Sequence, residues 1–369
     1  MPNEIDANIL VCPETKLELR YETFEEAEQK IPGVGKMSPR RFGTDAKKWP
    51  QSKFVLLRDD AVCFFPIIDG VLILLRPEMV VRDKSLPMVD VRNPVYSEAY
   101  EEMDFYNKAA FDEAADIENS DGFQSICKAL EYNQSESDSF PDPKENWIDA
   151  LYDCAAQWDA FSYLAPMTGK RTMQIGGKGI QAVKFLIAGA GEAWVVTPMV
   201  GEIAYAKKLA KFAKVEDRLR CVIAIGEEMP FRDNCFDAIY SGGCLHHMTT
   251  DLALSECSRI LKPGGRFAAN DPWKAPLYTI GTKIFGKRED VHCKPLTKER
   301  SAPLEEYFDK HEIIHHGTFT RYPLIVLDKY GISSNLSTVW NLNYLDNSLC
   351  SLVPKMRSFG SSVALLGEV

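Results

Sequence analysis

From Arg171 onward the chain alternates between two hydrophobic patterns. Short apolar runs (RTMQI, AWVVT, RCVIAI, FDAIYSG) have the length of strands. Between them lie GIQAVKFLIAGA, GEIAYAKKLAKFA and DLALSECSRIL, where apolar residues recur three or four positions apart. That spacing gives a helix one apolar face. KPGG reads as a turn before a further strand, RFAAND. Alternation on this scale predicts an α/β fold, a parallel sheet with helices on both faces. Ligands of such sheets bind beyond the carboxyl ends of the strands, near the point where strand order reverses.

The rest of the chain patterns differently. Residues 1–85 read as short strands and turns: KLELRY, KFVLLRD, AVCFFPI and DGVLILLRPE, with Asp69-Gly70 as a turn between two apolar runs. Residues 86–165 read as a helical linker and lid. SEAYEEMDFYNKAAFDEAADI is helix-forming, with Tyr100, Phe105, Tyr106 and Phe111 along it. NQSESDSFPDPKEN reads as a loop, and WIDALYDCAAQWDAFSYLAP returns to helical spacing until Pro166. Residues 166–369 form the main domain, with an aromatic, proline-bearing insertion at 272–345 that includes Trp273, Tyr278, Phe285, Phe308, Phe319, Tyr322 and Trp340. DNSLCSLVPKMRSFG is expected as a helix and SSVALLGEV as a closing strand.

Composition narrows the function classes. The formal net charge of −10 argues against broad attraction to nucleic acid or anionic membrane. Ten cysteines are scattered without a C-x-x-C, as expected of reduced thiols in the cytoplasm. The start, MPNEIDANILVCPETK, lacks the layout of a signal peptide, and VCFFPIIDGVLILL is broken by Asp69 and Gly70 and too short to span a bilayer. His292 beside Cys293 is too few ligands for a metal site, and His315 and His316 fall on an expected edge strand.

The candidate chemistry begins at RTMQIGGKGIQAVKF. Gly176, Gly177 and Gly179 stand between a strand and a helix. Glycines there let the backbone turn sharply and approach a ligand, and the helix N-terminus behind them favours an anionic group. Alone this is a weak signal.

Downstream, EEMPFRDNCFDAIYSGGCLHHM and LSECSRILKPGGRFAAND follow at suitable intervals. With them the stretch from Arg171 to Asp271 resembles the class I S-adenosylmethionine-dependent methyltransferases, most of all the ubiquinone/menaquinone-biosynthesis and small-molecule group. The resemblance implies a Rossmann-like, doubly wound, mostly parallel sheet of seven strands. It implies S-adenosylmethionine as cofactor and a small-molecule methyl acceptor. It also implies acids at three places where this chain has none: Gln174 ends the first strand, Thr197 the second, and Ile225 follows the third. Each missing acid is worth about 1–3 kcal/mol as a charged acceptor. Glu202 is a stand-in at the ribose, and Glu227 or Glu228 at the adenine edge. The implied cofactor set is therefore Gly176, Gly177, Gly179, Thr197, Pro198, Glu202, Gly226, Glu227, Glu228 and Met229, with Lys178 facing either the methionine carboxylate or solvent.

His246 and His247 follow the fourth strand on the ligand side and are the candidates for proton removal from an acceptor. Tyr152, Trp158, Trp273 and Tyr278 are the candidates for lining a substrate pocket, with core packing as the other reading. NDPW at 270–273 is similar to a motif of amino-group methylases but follows the fifth strand rather than the fourth. LVCPETKLEL and FFPIIDGVLILLRPE resemble a small zinc-ribbon-like module found beside several methyltransferases, yet only Cys12 and Cys63 sit near its knuckles, so no zinc is expected. That module keeps an RNA or protein methyltransferase open as an alternative, and the lost acids keep open a non-catalytic scaffold.

Overall fold

The computed structural model describes residues 7–30, 54–61, 64–68, 70–75, 94–133, 140–276, 278 and 294–369. Cys63, Asp69, Phe285, His292 and Cys293 lie outside these residues, as do the side chains of Tyr100, Phe105 and Tyr322. Strands β1 (Leu19–Thr23), β2 (Phe54–Arg58), β3 (Phe64–Ile68) and β4 (Val71–Ile73) come first. Then follow β5 (Arg171–Ile175), β6 (Glu192–Thr197), β7 (Leu219–Ile223), β8 (Phe236–Gly242), β9 (Leu261–Pro272), β10 (Lys310–His316) and β11 (Ser362–Glu368).

All of them join one mixed sheet in the order β1-β2-β3-β4-β7-β6-β5-β8-β9-β11-β10. Eleven strands replace the seven implied by the resemblance. The cause is at the N-terminus. Leu72 and Ile73 of β4 pair in parallel with Val222 and Ile223 of β7, so the short β-rich segment extends the sheet. β5, β6, β7, β8 and β9 are mutually parallel, and β11 enters antiparallel between β9 and β10. The expected KPGG turn is absorbed into β9. Leu261 pairs with Phe236 on one side, and the Gly264 amide donates to the Val369 carbonyl at 2.7 Å on the other.

Strand residues alternate between two apolar layers, as pleating requires. Ala193, Val195, Ala238, Tyr240 and Ala268 face one layer with the helices Cys154–Leu164, Ile180–Ile187 and Val200–Phe212. Met173, Trp194, Val196, Ile239 and Phe267 face the other with the helix Thr250–Ile260. Both faces are buried, which is why these strands read as continuous apolar runs. The 86–165 segment supplies the helices Pro94–Ala115, Asp121–Asn133 and Cys154–Leu164. The 272–345 segment supplies edge strand β10, which carries His315 and His316, and the helices Arg321–Lys329 and Leu336–Leu352.

The strand order reverses between β5 and β8: β5, β6 and β7 step outward one way, β8 and β9 the other. The loops that follow β5 and β8 are therefore neighbours, and this is where the sheet topology places a ligand crevice.

Phe267, fully buried and 5.6 Å from the Phe308 ring, tests the core. Phe267→Ala should cost about 3–5 kcal/mol in urea unfolding, while Leu252→Ala on an exposed helix face should change stability by about 0.5 kcal/mol or less.

Candidate functional site

The loop after β5 is held from both sides by one side chain. Gln174 Nε2 donates to the Gly176 carbonyl at 2.9 Å, and its Oε1 accepts from the Ala182 amide at 2.8 Å. The amide group thus braces the glycine turn and satisfies a first-turn donor of the Ile180–Ile187 helix. A carboxylate could accept from Ala182 but could not donate to Gly176. Gly176 and Gly179 both adopt positive φ, 68° and 72°. A Cβ on Gly176 would lie 2.6 Å from Cys244 Sγ in the loop after β8, and one on Gly179 would lie 2.5 Å from Ala206 Cβ. The glycines are set by backbone conformation and by how closely these elements approach.

A cavity of about 430 Å³ opens beside this turn. Gln174, Gly176, Gly177, Lys178, Ile180 and Gln181 line it from the β5 end. Pro198, Met199 and Glu202 line it after β6, and Ile225, Gly226 and Glu227 after β7. Gly242, Gly243, Cys244, His247 and Met248 close the side after β8. The Pro94–Ala115 helix lies across the opening with Val95, Glu98, Ala99, Glu102 and Tyr106, and Asp149 and Ala150 complete the wall. Asn107 fastens that helix to the Val200–Phe212 helix by accepting the Gly201 amide at 2.7 Å.

Thr197 ends β6 and is fully buried. Its hydroxyl donates to Glu202 Oε2 at 2.5 Å and accepts the Met199 amide at 3.2 Å. Glu202 is thereby drawn back from the first turn of the Val200–Phe212 helix to the end of the strand. Burial pushes its pKa up to about 7, against the opposing pull of the Thr197 hydroxyl. Glu227 is likewise pushed up to about 7 by burial, although it accepts the Thr249 amide at 2.9 Å. Asp149 behaves oppositely. Burial raises it, but the buried Lys184 at 2.9 Å and the Gln157 and Gln181 amides outweigh that and leave it lowered. Lys178, the only Lys or Arg on the cavity wall among the described residues, is ion-paired with Glu113.

The two histidines do different things. His246 is buried; its Nδ1 meets Asp271 Oδ1 at 2.7 Å, and its own amide donates to the same oxygen at 3.0 Å, which pins the loop to the end of β9. His247 lines the cavity and its Nδ1 lies 2.9 Å from Glu102 Oε1 on the covering helix. Among the described residues, no partner engages its Nε2.

Of the residues expected at a cofactor, the structure brings Gly176, Gly177, Pro198, Glu202, Gly226 and Glu227 to the cavity wall. Gly179 and Thr197 stand behind it as supports. Glu228 is not on the wall, and Met229 is buried with its amide donating to Glu256 at 2.8 Å. None of the four expected substrate contacts lines this cavity. Trp158 packs edge-on against Trp340, and Trp273 edge-on against His315, each satisfying a large ring within the fold. Tyr152 lies beside Asp328, and the Tyr278 amide donates to the Ala275 carbonyl.

The Pro94–Ala115 helix falls in the segment expected to be a helical lid, but its cavity-lining residues were not singled out, although their signal was present. Val95, Glu98, Ala99, Glu102 and Tyr106 recur at three, one, three and four positions, a single helical face. Cys244 and Met248, within the quoted histidine stretch, were also passed over.

At the N-terminus, the Arg58 guanidinium lies 3.8 Å from the buried Cys12 sulfur. Among the described residues, no group of three His, Cys, Asp or Glu side chains is placed to hold a metal ion. Among them, too, no helix is long and apolar enough to cross a membrane.

Residues 175–269 match the family profile of a methyltransferase domain. The ubiquinone/menaquinone biosynthesis C-methyltransferase UbiE of Roseobacter denitrificans is 32% identical over 123 residues, 32% of this chain and 46% of that protein. The 27-O-demethylrifamycin SV methyltransferase of Amycolatopsis mediterranei is 31% identical over 118 residues, 31% of this chain and 43% of that protein. The chain thus spans about half the length of the curated relatives it matches. Among solved structures, geranyl diphosphate C-methyltransferase from Streptomyces coelicolor A3(2) overlaps 58% of this chain and 74% of its own, at 16% identity and a TM-score of 0.42.

The raised pKa of Glu202 carries a stability consequence. Below the carboxyl's unfolded pKa both states are protonated; as pH rises to about 7 the folded state resists ionisation, so stability is lost across that window. Glu202→Gln should therefore be more stable than the parent at pH 8, by about 1–3 kcal/mol, with the gap closing toward pH 5 in paired urea titrations.

Proposed function

We propose that the protein transfers a methyl group from S-adenosylmethionine to a small-molecule acceptor. The observation that carries this reading is the acid-rich cavity at the carboxyl ends of β5, β6, β7 and β8, walled by the glycine turn and by Glu202. It is supported by the methyltransferase-domain match over the same strands and loops. The relatives named above are methyltransferases whose names give small-molecule pathways or acceptors.

The residues present fit this cofactor. Gly176 and Gly177 offer bare backbone to its amino-acid end, with no side chain between the turn and the cavity. Glu202, held by Thr197, stands where a carboxylate would accept from ribose hydroxyls. Gly226, Glu227 and Ile225 border the place for the adenine. Asp149 and Glu98 are ion-paired with Lys184 and Lys294, and the further carboxyl groups of Glu102, Glu202 and Glu227 around the cavity favour a cationic ligand. When bound, S-adenosylmethionine supplies an electrophilic methyl group on a positively charged sulfur.

The chain's own residues do the rest. Glu102 holds His247 through Nδ1, which directs the Nε2 lone pair to an acceptor proton in the cavity. Asp271 fixes His246 and with it the loop on which His247 rides. The Pro94–Ala115 helix walls the cavity beside the reacting atoms, and most of the rate gain comes from aligning donor and acceptor there.

Titration calorimetry with S-adenosylmethionine tests this directly. The parent protein should bind, and Glu202→Ala should bind at least about ten-fold more weakly, the loss of a charged acceptor. No heat and no thermal shift with the parent would favour a non-catalytic scaffold. With binding established, His247→Ala should leave that affinity within about three-fold and lower turnover of labelled donor by about 100-fold or more.

A further inference from the structure

The segment from Tyr330 to Pro354 holds one charged residue, Asp346, in 25 positions, where the chain's 26% charge would give about six. Asp346 is buried and accepts the Phe319 amide at 3.1 Å and the Thr320 hydroxyl at 3.3 Å. The segment therefore exposes no charged side chain of its own, although Lys144 lies 4.9 Å over the Trp340 ring and Lys355 and Arg357 follow it in the chain. The Leu336–Leu352 helix is also turned against the usual order. Its inward side carries Val339, Asn343, Asp346 and Cys350, two of them polar. Its outward side carries Tyr344, Leu345, Leu349 and Leu352, which are 73%, 52%, 46% and 78% exposed, and Val353 just beyond is 53% exposed. Leucines at i, i+4 and i+7 form the seam along which helices pack on one another. A contiguous apolar stripe of this kind on a soluble chain marks an interaction site.

We propose that this face is a self-association surface that packs against the same helix of a second copy. Charge selects the occupant. Two chains of net charge −10 repel each other, and that repulsion is least where the facing helix exposes no acid and the lysines and arginine near it (Lys144, Lys355, Arg357) are cationic. A two-fold axis across the helix sets the leucines against their own equivalents, which needs no complementary charge pattern. The five exposed side chains offer on the order of 600 Å² per copy, and with the small polar residues between them they approach the per-partner area of about 800 Å² of an ordinary stable interface. No residue of this helix lines the cavity, so association leaves the proposed cofactor site open and is tested independently of it.

The experiment is sedimentation velocity on the full chain from about 1 to 100 μM, with the double variant Leu345→Glu/Leu349→Glu and the control Leu252→Glu, which alters an exposed leucine elsewhere. The parent and the control should sediment as dimers. The double variant should sediment as a monomer, its dissociation constant raised by about 100-fold or more, with the far-ultraviolet circular dichroism of the folded parent. If the double variant fails to fold, Leu352→Lys, the most exposed of the leucines, makes the same test. A parent that stays monomeric at 100 μM, or a folded double variant that stays dimeric, overturns the proposal. So does flotation of monomeric parent, but not variant, with phosphatidylcholine vesicles, which would assign the face to a lipid surface.

Discussion

The site depends on how closely two loops approach at the reversal of strand order. The turn after β5 passes so near the loop after β8 that Gly176 has no room for a side chain beside Cys244. Gln174 fixes that approach from beneath, donating to the turn and accepting from the helix behind it. An acid at this position would lose one of those two bonds, so the departure from the family pattern at Gln174 is a different way of holding the same turn. The consequence is a stretch of exposed backbone at the mouth of a crevice, supported on a rigid parallel sheet.

Around that turn the chain gathers carboxylates without the usual acid at the strand end. Thr197 occupies the end of β6, and its hydroxyl pulls Glu202 back into reach from the following helix. The two residues together put an acid where the strand itself does not. Two of the wall's acids are ion-paired, Asp149 with Lys184 at 2.9 Å and Glu98 with Lys294 at 2.7 Å, and Lys178 is paired with Glu113. Glu102, Glu202 and Glu227 still leave the cavity with an excess of carboxyl groups, which suits a positively charged ligand. Burial holds Glu202 and Glu227 near neutrality in the free protein, so a bound cation would favour their ionised forms.

Much of this was legible in the chain itself, for physical reasons. The strands from β5 to β8 are buried on both faces and so appear as apolar runs; the helices between them are buried on one face and show the three-to-four spacing. The cavity residues contributed by loops followed once those elements were placed, because a ligand crevice in such a sheet lies where they end. The strand count did not follow. β1 to β4 are short and antiparallel among themselves, and nothing in their pattern says that the last of them pairs with β7. The covering helix was foreseen as a helix, but its cavity-facing stripe of Glu98, Glu102 and Tyr106 looks like any amphipathic surface. Trp158 and Trp273 drew attention as large rings near the sheet's mouth, and packing against Trp340 and His315 claimed both.

The central claim is that bare backbone at Gly176 and Gly177 and the borrowed acid Glu202 together grip an adenosyl nucleoside. A crystal structure grown with S-adenosylhomocysteine tests it most directly. The account predicts the nucleoside in the crevice, its ribose hydroxyls on Glu202 and its amino-acid end at the glycine turn. A crevice that stays empty at saturating ligand, or a nucleoside bound away from Glu202, would contradict it.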